Sequence, residues 1–297
     1  MSLKDFILKN ISNYQFKIVK INEVGNNFLN LLKTNVKEDK KFLKKLRKLN
    51  RKVLANFIFL LRAIDFRLWE FPQNWIYKNE GGFFGLLERM VVLFKIIEGN
   101  STSKSLNNFT TFKKIISPKE SLGLSKLRYK IFQDCLSWLK KYDYNFDNYF
   151  EENENALDFC LNLFDLEKFR DYHNNIYFLK PNQLLYFEYI LAKGLEKNYK
   201  NQLETLTIFA DYKIPQFFIN FGLIKFGPKY LTKIKENKII KKFSLLENEL
   251  RMASILLGEK LNKKLKIPSY KVDNILWALS NKIKFKIPFP KVKTIFY

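Results

Sequence analysis

Apolar residues recur every three to four positions along most of this chain, and the residues that interrupt helices are scarce: 10 Gly and 8 Pro in 297. Both features select helices over strands. The spacing predicts helices over residues 39–51 (basic), 53–69 (apolar, ended by Phe71-Pro72-Gln73-Asn74), 83–98, 123–142, 155–168, 181–197 and 203–209. Pro215 suits the first turn of a helix opening near Ile214. Ser244 followed by Glu247 has the form of a capping box ahead of a helix to about Leu261, and a last helix is expected from Val272 to about Asn281. Gly25-Asn26-Asn27 marks a break near the start, and the polar stretch 100–120 reads as a connection. Short strands are expected only at 176–179 and 294–297. Without a repeat, linker or compositional step, the expectation is a mainly α, single domain over 1–297, with 1–50 as an N-terminal helical part.

A core of that size needs apolar mass, and the chain supplies it with 30 Phe and 15 Tyr. Charge is lopsided, 53 Lys+Arg against 29 Asp+Glu, for a formal net charge of +24. Such a field attracts phosphorylated small molecules, nucleic acid or anionic lipid. Lys, Asn, Ile and Phe also recur everywhere, as an AT-rich coding bias would produce, so the charge names no partner by itself. The most apolar run, Val53 to Ile64, is broken by Arg62 and falls well short of the ~20 residues that span a bilayer. Met1-Ser2-Leu3-Lys4-Asp5 lacks the apolar core of a signal peptide. A cytoplasmic protein with no membrane partner is expected.

Several chemistries are excluded. Two cysteines, Cys135 and Cys160, and one histidine, His173, cannot build a Cys-only zinc site or a two-His metal motif. His173 lies in the polar run Asp171-Tyr172-His173-Asn174-Asn175 and reads as a surface-loop residue. No dinucleotide loop, phosphate loop or nucleophile elbow is present. Carboxylates, lysines and aromatics remain, a set suited to glycosyl chemistry without a metal or cofactor: a carboxylate stabilises a cationic sugar and positions water.

In Phe209-Ala210-Asp211-Tyr212-Lys213-Ile214-Pro215-Gln216 an acid precedes a helix start. Backbone N–H groups there would hold it ionised. Spacing alone reads Asp211 first as an ordinary helix cap and second as a catalytic carboxylate. Asp65 and Trp69 stand four apart on one helix face, and Asp273 and Trp277 repeat the pairing. An acid beside an indole suits a flat base, with one face to stack on and an acceptor at the edge; the same pairs are also compatible with Arg62 or Arg67 as ion partner, or with a cap and a core residue. Lys180, after the apolar Ile176 to Leu179, is a candidate phosphate or carboxylate partner among many lysines.

Taken in order, these stretches resemble the queuosine salvage protein family. Ala210-Asp211-Tyr212-Lys213-Ile214-Pro215-Gln216 is similar to its ADYRVPQ, and Leu246 to Ile255 to its E-x-E-I-R-x-x-S-I helix. Val272-Asp273-Asn274-Ile275-Leu276-Trp277 is similar to ID-x-x-LW, and Lys293 to Tyr297 to its TIFY-type ending. Ile64 to Trp69 with Trp75 and Gly81-Gly82-Phe83-Phe84 parallels an LNFSFW…W…GG-aromatic block. Asp65 replaces an Asn of that block, and Phe178-Leu179-Lys180-Pro181-Asn182-Gln183 lacks the Arg of an FLKRAQ-like stretch. The resemblance covers about 50–297. It implies a helical fold like that of DNA glycosylases and hydrolysis of queuosine 5′-monophosphate to queuine. It further implies Asp211 as the catalytic residue, and Asp65, Phe66, Trp69, Lys180, Gln183, Tyr212, Lys213, Gln216, Asp273 and Trp277 as substrate-binding residues. The substrate would be a small molecule, with no stable nucleic-acid complex expected. The rivals are a nucleic-acid base glycosylase, which would bind polynucleotide with strong salt dependence, and a non-catalytic RNA-binding protein, which would leave the Asp211 segment without a purpose.

Overall fold

A computed structural model of the chain describes residues 1–35, 41–46, 49–69, 76–99, 108–117 and 123–297. In chain order its elements are α1 (Leu3–Leu8), β1 (Val19–Ile21), α2 (Asn26–Lys33), α3 (Lys41–Leu46), α4 (Arg51–Ile64), β2 (Ile76–Tyr77), β3 (Glu80–Gly81), α5 (Gly82–Gly99), α6 (Phe109–Ile116) and α7 (Ser125–Leu139). Then come α8 (Phe146–Glu152), α9 (Ala156–Asn162), β4 (Tyr172–His173), β5 (Ile176–Tyr177), α10 (Lys180–Lys193) and α11 (Lys200–Leu203). The rest comprises α12 (Lys213–Asn220), β6 (Ile224–Phe226), α13 (Pro228–Lys235), α14 (Leu245–Leu265) and α15 (Ser269–Ser280). The mainly α expectation is met; strands among the described residues form three two-stranded antiparallel pairs, β1–β6, β2–β3 and β4–β5. No described helix is long and apolar enough to cross a membrane.

Two helical groups share the core. α4 packs against α5, α7, α8 and α10, while α12, α14 and α15 pack on one another. From Leu54 to Ile64, α4 is apolar on nearly every face, with Phe57, Ile58, Phe59, Leu61 and Ile64 fully buried. A helix apolar all round belongs inside, and each such side chain contributes roughly 1.5–3 kcal/mol on burial. Its last carbonyls are therefore out of reach of water and need other donors. Buried cations supply them: Arg128 donates to the carbonyls of Ile64 and Phe66, and Lys168 Nζ donates to that of Asp65 at 3.0 Å.

That end corrects the expected apolar helix, which stops at Ile64 and not at Trp69. Arg67 has φ +49°, a left-handed conformation that ends any helix. Asp65 and Trp69 therefore do not share a helix face. The expected stop at Phe71–Asn74, residues Asp39, Lys40, Arg47 and Lys48 of the expected basic helix, and Trp75 lie outside the described residues. Within the expected connection 100–120, Asn108 accepts the N–H groups of Thr110 and Thr111 and starts α6.

The helix expected at 203–209 is also absent, because α11 closes at Leu203 and the chain continues through a turn and irregular backbone to Asp211. Side chains compete for its backbone: Gln183 Oε1 accepts the Thr207 N–H at 2.9 Å, Asp273 Oδ1 accepts that of Phe209 at 2.8 Å, and Arg251 Nε donates to the Ala210 carbonyl at 3.0 Å. Packing is equally tight. A Cβ on Gly258 of α14 would meet Ile208 Cγ2 at 2.5 Å.

Ser244 caps α14 as expected, accepting the Glu247 N–H, and Glu247 Oε2 reaches back to the N–H of Phe243. Glu249, two residues on, collects the backbone N–H groups of Lys17, Ile18 and Val19 at 2.7–2.8 Å. This buried carboxylate fastens the N-terminal segment, including the unforeseen β1, to α14. His173 sits on β4, half-buried and stacked on Phe243 with ring centroids 4.7 Å apart, so it is not a loop residue. Ile176 and Tyr177 form a strand as expected, whereas residues 294–297 do not.

Candidate active site

A cavity of about 650 Å³ opens where the end of α4, the start of α5, one face of α10, the start of α12 and α15 converge. Each wall follows from a local rule. On α10, Lys180, Leu184, Phe187, Glu188 and Leu191 are three to four residues apart and share the face that lines the cavity. On α15, Tyr270, Asp273, Asn274 and Trp277 do the same, and Asn281 adds to that wall just past its end. Asp65 and Phe66 enter from the turn that Arg128 and Lys168 hold after α4.

Asp211 stands at the mouth of α12. Its Oδ1 accepts the backbone N–H groups of Lys213 at 2.7 Å and Ile214 at 3.2 Å. Oδ2 takes no hydrogen bond from the described residues, and the residue lines the cavity. The cap reading of Asp211 is met, and the capped residue is also one of those that line the cavity.

Asp273 is its counterpart. It is 6% exposed, and its Oδ1 accepts the N–H of Phe209. Burial, and then the charge of Asp211, push its carboxyl well above the usual carboxylate range. Two carboxyls thus line one cavity in different surroundings, one capped by backbone N–H groups and one desolvated.

Deeper in, Arg62 forms a fork to Glu188, bonds Asp65, and lies over the Phe83 ring at 4.3 Å. Burial alone would raise the Asp65 carboxyl, but Arg62, Lys180, Lys168 and Arg128 together outweigh it and hold it below its usual range. For Glu188 burial dominates over Arg62, and its carboxyl is raised. Near the opening, burial lowers the Lys213 ammonium against the pull of Asp211; that group bonds Asn281 and lies 5.3 Å from the Trp277 ring centroid. Among the described residues no group of three His, Cys, Asp or Glu side chains is spaced to hold a metal ion.

Of the residues proposed from sequence, Asp65, Phe66, Lys180, Asp211, Tyr212, Lys213, Asp273 and Trp277 all line this cavity. Trp69, Gln183 and Gln216 stand outside its lining. Trp69 packs against Phe289, Gln216 Nε2 donates to the Ile287 carbonyl, and the fully buried Gln183 pins Phe178 and Thr207. Sequence reasoning missed Glu188, Phe187, Tyr270 and Tyr297, which also line it. For Glu188 a signal existed, since it follows Lys180 by eight positions on the same helix face.

Residues 45–297 match the model of the queuosine salvage protein family. The chain is 25% identical over 272 residues to the queuosine 5′-phosphate N-glycosylase/hydrolase of Sphaerobacter thermophilus, covering 83% of this chain and 82% of that one. To the protein of the same name from Schizosaccharomyces pombe it is 26% identical over 155 residues, 46% of this chain and 45% of the other. For that of Nematostella vectensis the figures are 29% over 117 residues, 32% and 34%. The family match takes in every wall of the cavity from Arg62 to Tyr297, leaving outside it only the α3 residues Lys41, Phe42 and Leu43. The chain belongs to the queuosine salvage protein family.

Proposed function

We propose that the chain hydrolyses the N-glycosidic bond of queuosine 5′-monophosphate, giving queuine and ribose 5-phosphate. Family membership and the names of the relatives support the substrate; the observation that carries the chemistry is Asp211, a carboxylate locked by two backbone N–H groups at the edge of a cavity large enough for a nucleotide. In this reading the glycosidic electron pair leaves with the base, water adds its oxygen to C1′, and the proton that water loses ends on the base. Asp211 faces C1′, stabilises the cationic sugar and orients the water.

Queuine is a 7-deazaguanine, so the ring position that purine glycosylases often protonate is carbon. Help for the leaving base must come from its edge. Asp273, which retains its proton, donates a hydrogen bond there, and Trp277 and Tyr270 cover the flat ring. Lys180 and Lys213 hold the 5′-phosphate. Asp65 stays with Arg62 and Glu188, shaping the floor. The site draws on residues from Arg62 to Tyr297, which fits one domain over 1–297. The substrate is a free mononucleotide in the cytoplasm, with no stable nucleic-acid complex.

The test is incubation of the purified protein with queuosine 5′-monophosphate, following free queuine by mass-resolved chromatography, beside Asp211→Ala. Release by the wild type alone supports the reading. Release by neither protein removes this substrate, and equal release by both removes Asp211 from the chemistry.

A further inference from the structure

We propose that the buried Arg251–Asp171 pair is a positioning device that sets Asp211, Lys180 and Tyr297 relative to one another. Neither residue lines the main cavity. Arg251 is 1% exposed and Asp171 fully buried, and they join in a two-bond fork, Nη1 to Oδ1 at 2.8 Å and Nη2 to Oδ2 at 2.6 Å. An ion pair taken so far from water costs several kcal/mol per ion to desolvate and gives little net stability in general. What these two groups do with their remaining valences is to reach three walls of the site.

The first is the Asp211 wall. Arg251 Nε donates to the Ala210 carbonyl at 3.0 Å, which fixes the peptide leading into Asp211. The second is Lys180. Asp171 Oδ2 accepts the Lys180 N–H at 3.0 Å, and the Asp171 carbonyl accepts those of Phe178 and Leu179 at 3.0 and 3.1 Å. Leu179 precedes α10 with φ +53° and offers no side-chain cap, so the carboxylate of Asp171, nine residues before Lys180 across the β4–β5 hairpin, caps that helix. The third is Tyr297, whose ring lies 4.8 Å from the guanidinium and whose hydroxyl donates to Glu247 at 2.6 Å; Glu247 in turn lies 3.6 Å from Arg251. One guanidinium with five donors in a rigid fork can serve these partners together, and a lysine cannot.

The catalytic half of this inference rests on the proposed reaction; the positional half does not, and the experiment separates them. Removing one partner leaves a buried charge unpaired and threatens the fold. The informative variants are therefore Arg251→Lys and the double replacement Arg251→Met with Asp171→Leu, which swaps the pair for apolar volume. Two readouts are taken on folded protein: kcat and KM for queuosine 5′-monophosphate, and hydrogen–deuterium exchange resolved by peptide. The expected result for the double variant is a kcat lowered about 10–100-fold, the range for loss of groups that orient functional residues, with KM little changed. Arg251→Lys should recover part of that loss. Exchange should quicken at 178–183 and 209–214 while α7 keeps its protection. A double variant with wild-type kcat, or one whose exchange is unchanged at both segments or raised uniformly, overturns the proposal. Should the wild type release no queuine, the reaction falls and the exchange pattern alone decides the positional claim.

Discussion

Asp273 accepts the backbone N–H of Phe209 at 2.8 Å, two residues before Asp211, so one short stretch of chain carries one carboxylate and anchors the other. The two acids enter the same cavity from α15 and from the start of α12, and their environments differ. Asp211 is capped by N–H groups; Asp273 is desolvated and lies in the field of Asp211.

Asp211→Asn isolates the charge from the cap, because the amide oxygen still accepts from Lys213 and Ile214. Unfolding by denaturant should shift little. Queuine release should fall about 10²–10⁴-fold, the usual contribution of a positioned acid or base. A near wild-type rate would show that the carboxylate serves only the helix.

Asp273 gives a pH prediction with a definite sign. Its carboxyl is raised in the folded state, so the native protein holds a proton that the unfolded chain releases near pH 4. Its contribution to stability is full below that pH and declines as pH rises toward the folded value. Asp273→Asn keeps the shape of the neutral acid and its bond to Phe209 without titrating. The melting temperature of Asp273→Asn relative to wild type should therefore climb as pH is raised above 4. A difference that is constant with pH would mean that Asp273 is ionised in the folded protein.

Lys180 separates phosphate from base. With Lys180→Gln, KM for queuosine 5′-monophosphate should rise about 10–100-fold, matching the roughly 1.5–3 kcal/mol of a hydrogen bond to a charged group. Cleavage of queuosine without its phosphate should be unaffected. Steady-state kinetics on the two substrates decide it, and an equal effect on both would place Lys180 at the sugar or the base.

Much of this was legible in the sequence, and the losses have physical causes. Asp211, Asp273 and Trp277 could be found because each lies at or within a helix whose start is written locally, by Pro215 and by apolar periodicity. Trp69 was misplaced because periodicity cannot register the buried Arg128 and Lys168 that take up the last carbonyls of α4 and end it early. The segment 203–209 has helical spacing, yet Gln183, Asp273 and Arg251 claim its backbone groups from far along the chain. Glu249 and Arg251 carry the family resemblance without lining the main cavity; what they fasten is a strand and a wall, which no local pattern records.

The closeness of α14 to the segment that delivers Asp211 gives the last prediction. Gly258 has no room for a side chain, since a Cβ there would stand 2.5 Å from Ile208 Cγ2 and 3.0 Å from Cδ1. Ile208 is fully buried, so turning its side chain away means displacing packed neighbours. Gly258→Ala should gain helix propensity and still lose, with overpacking outweighing it by about 1–3 kcal/mol. Ile208→Val removes Cδ1 and Ile208→Ala also removes Cγ2, so Ile208→Ala should cost less stability in the Gly258→Ala background than in the wild type. Denaturant unfolding of the four proteins of that double-mutant cycle measures the coupling. Additive effects would show that the new methyl is accommodated by movement of α14 itself, and base release in the single variant should then fall with no rise in exchange at 209–214.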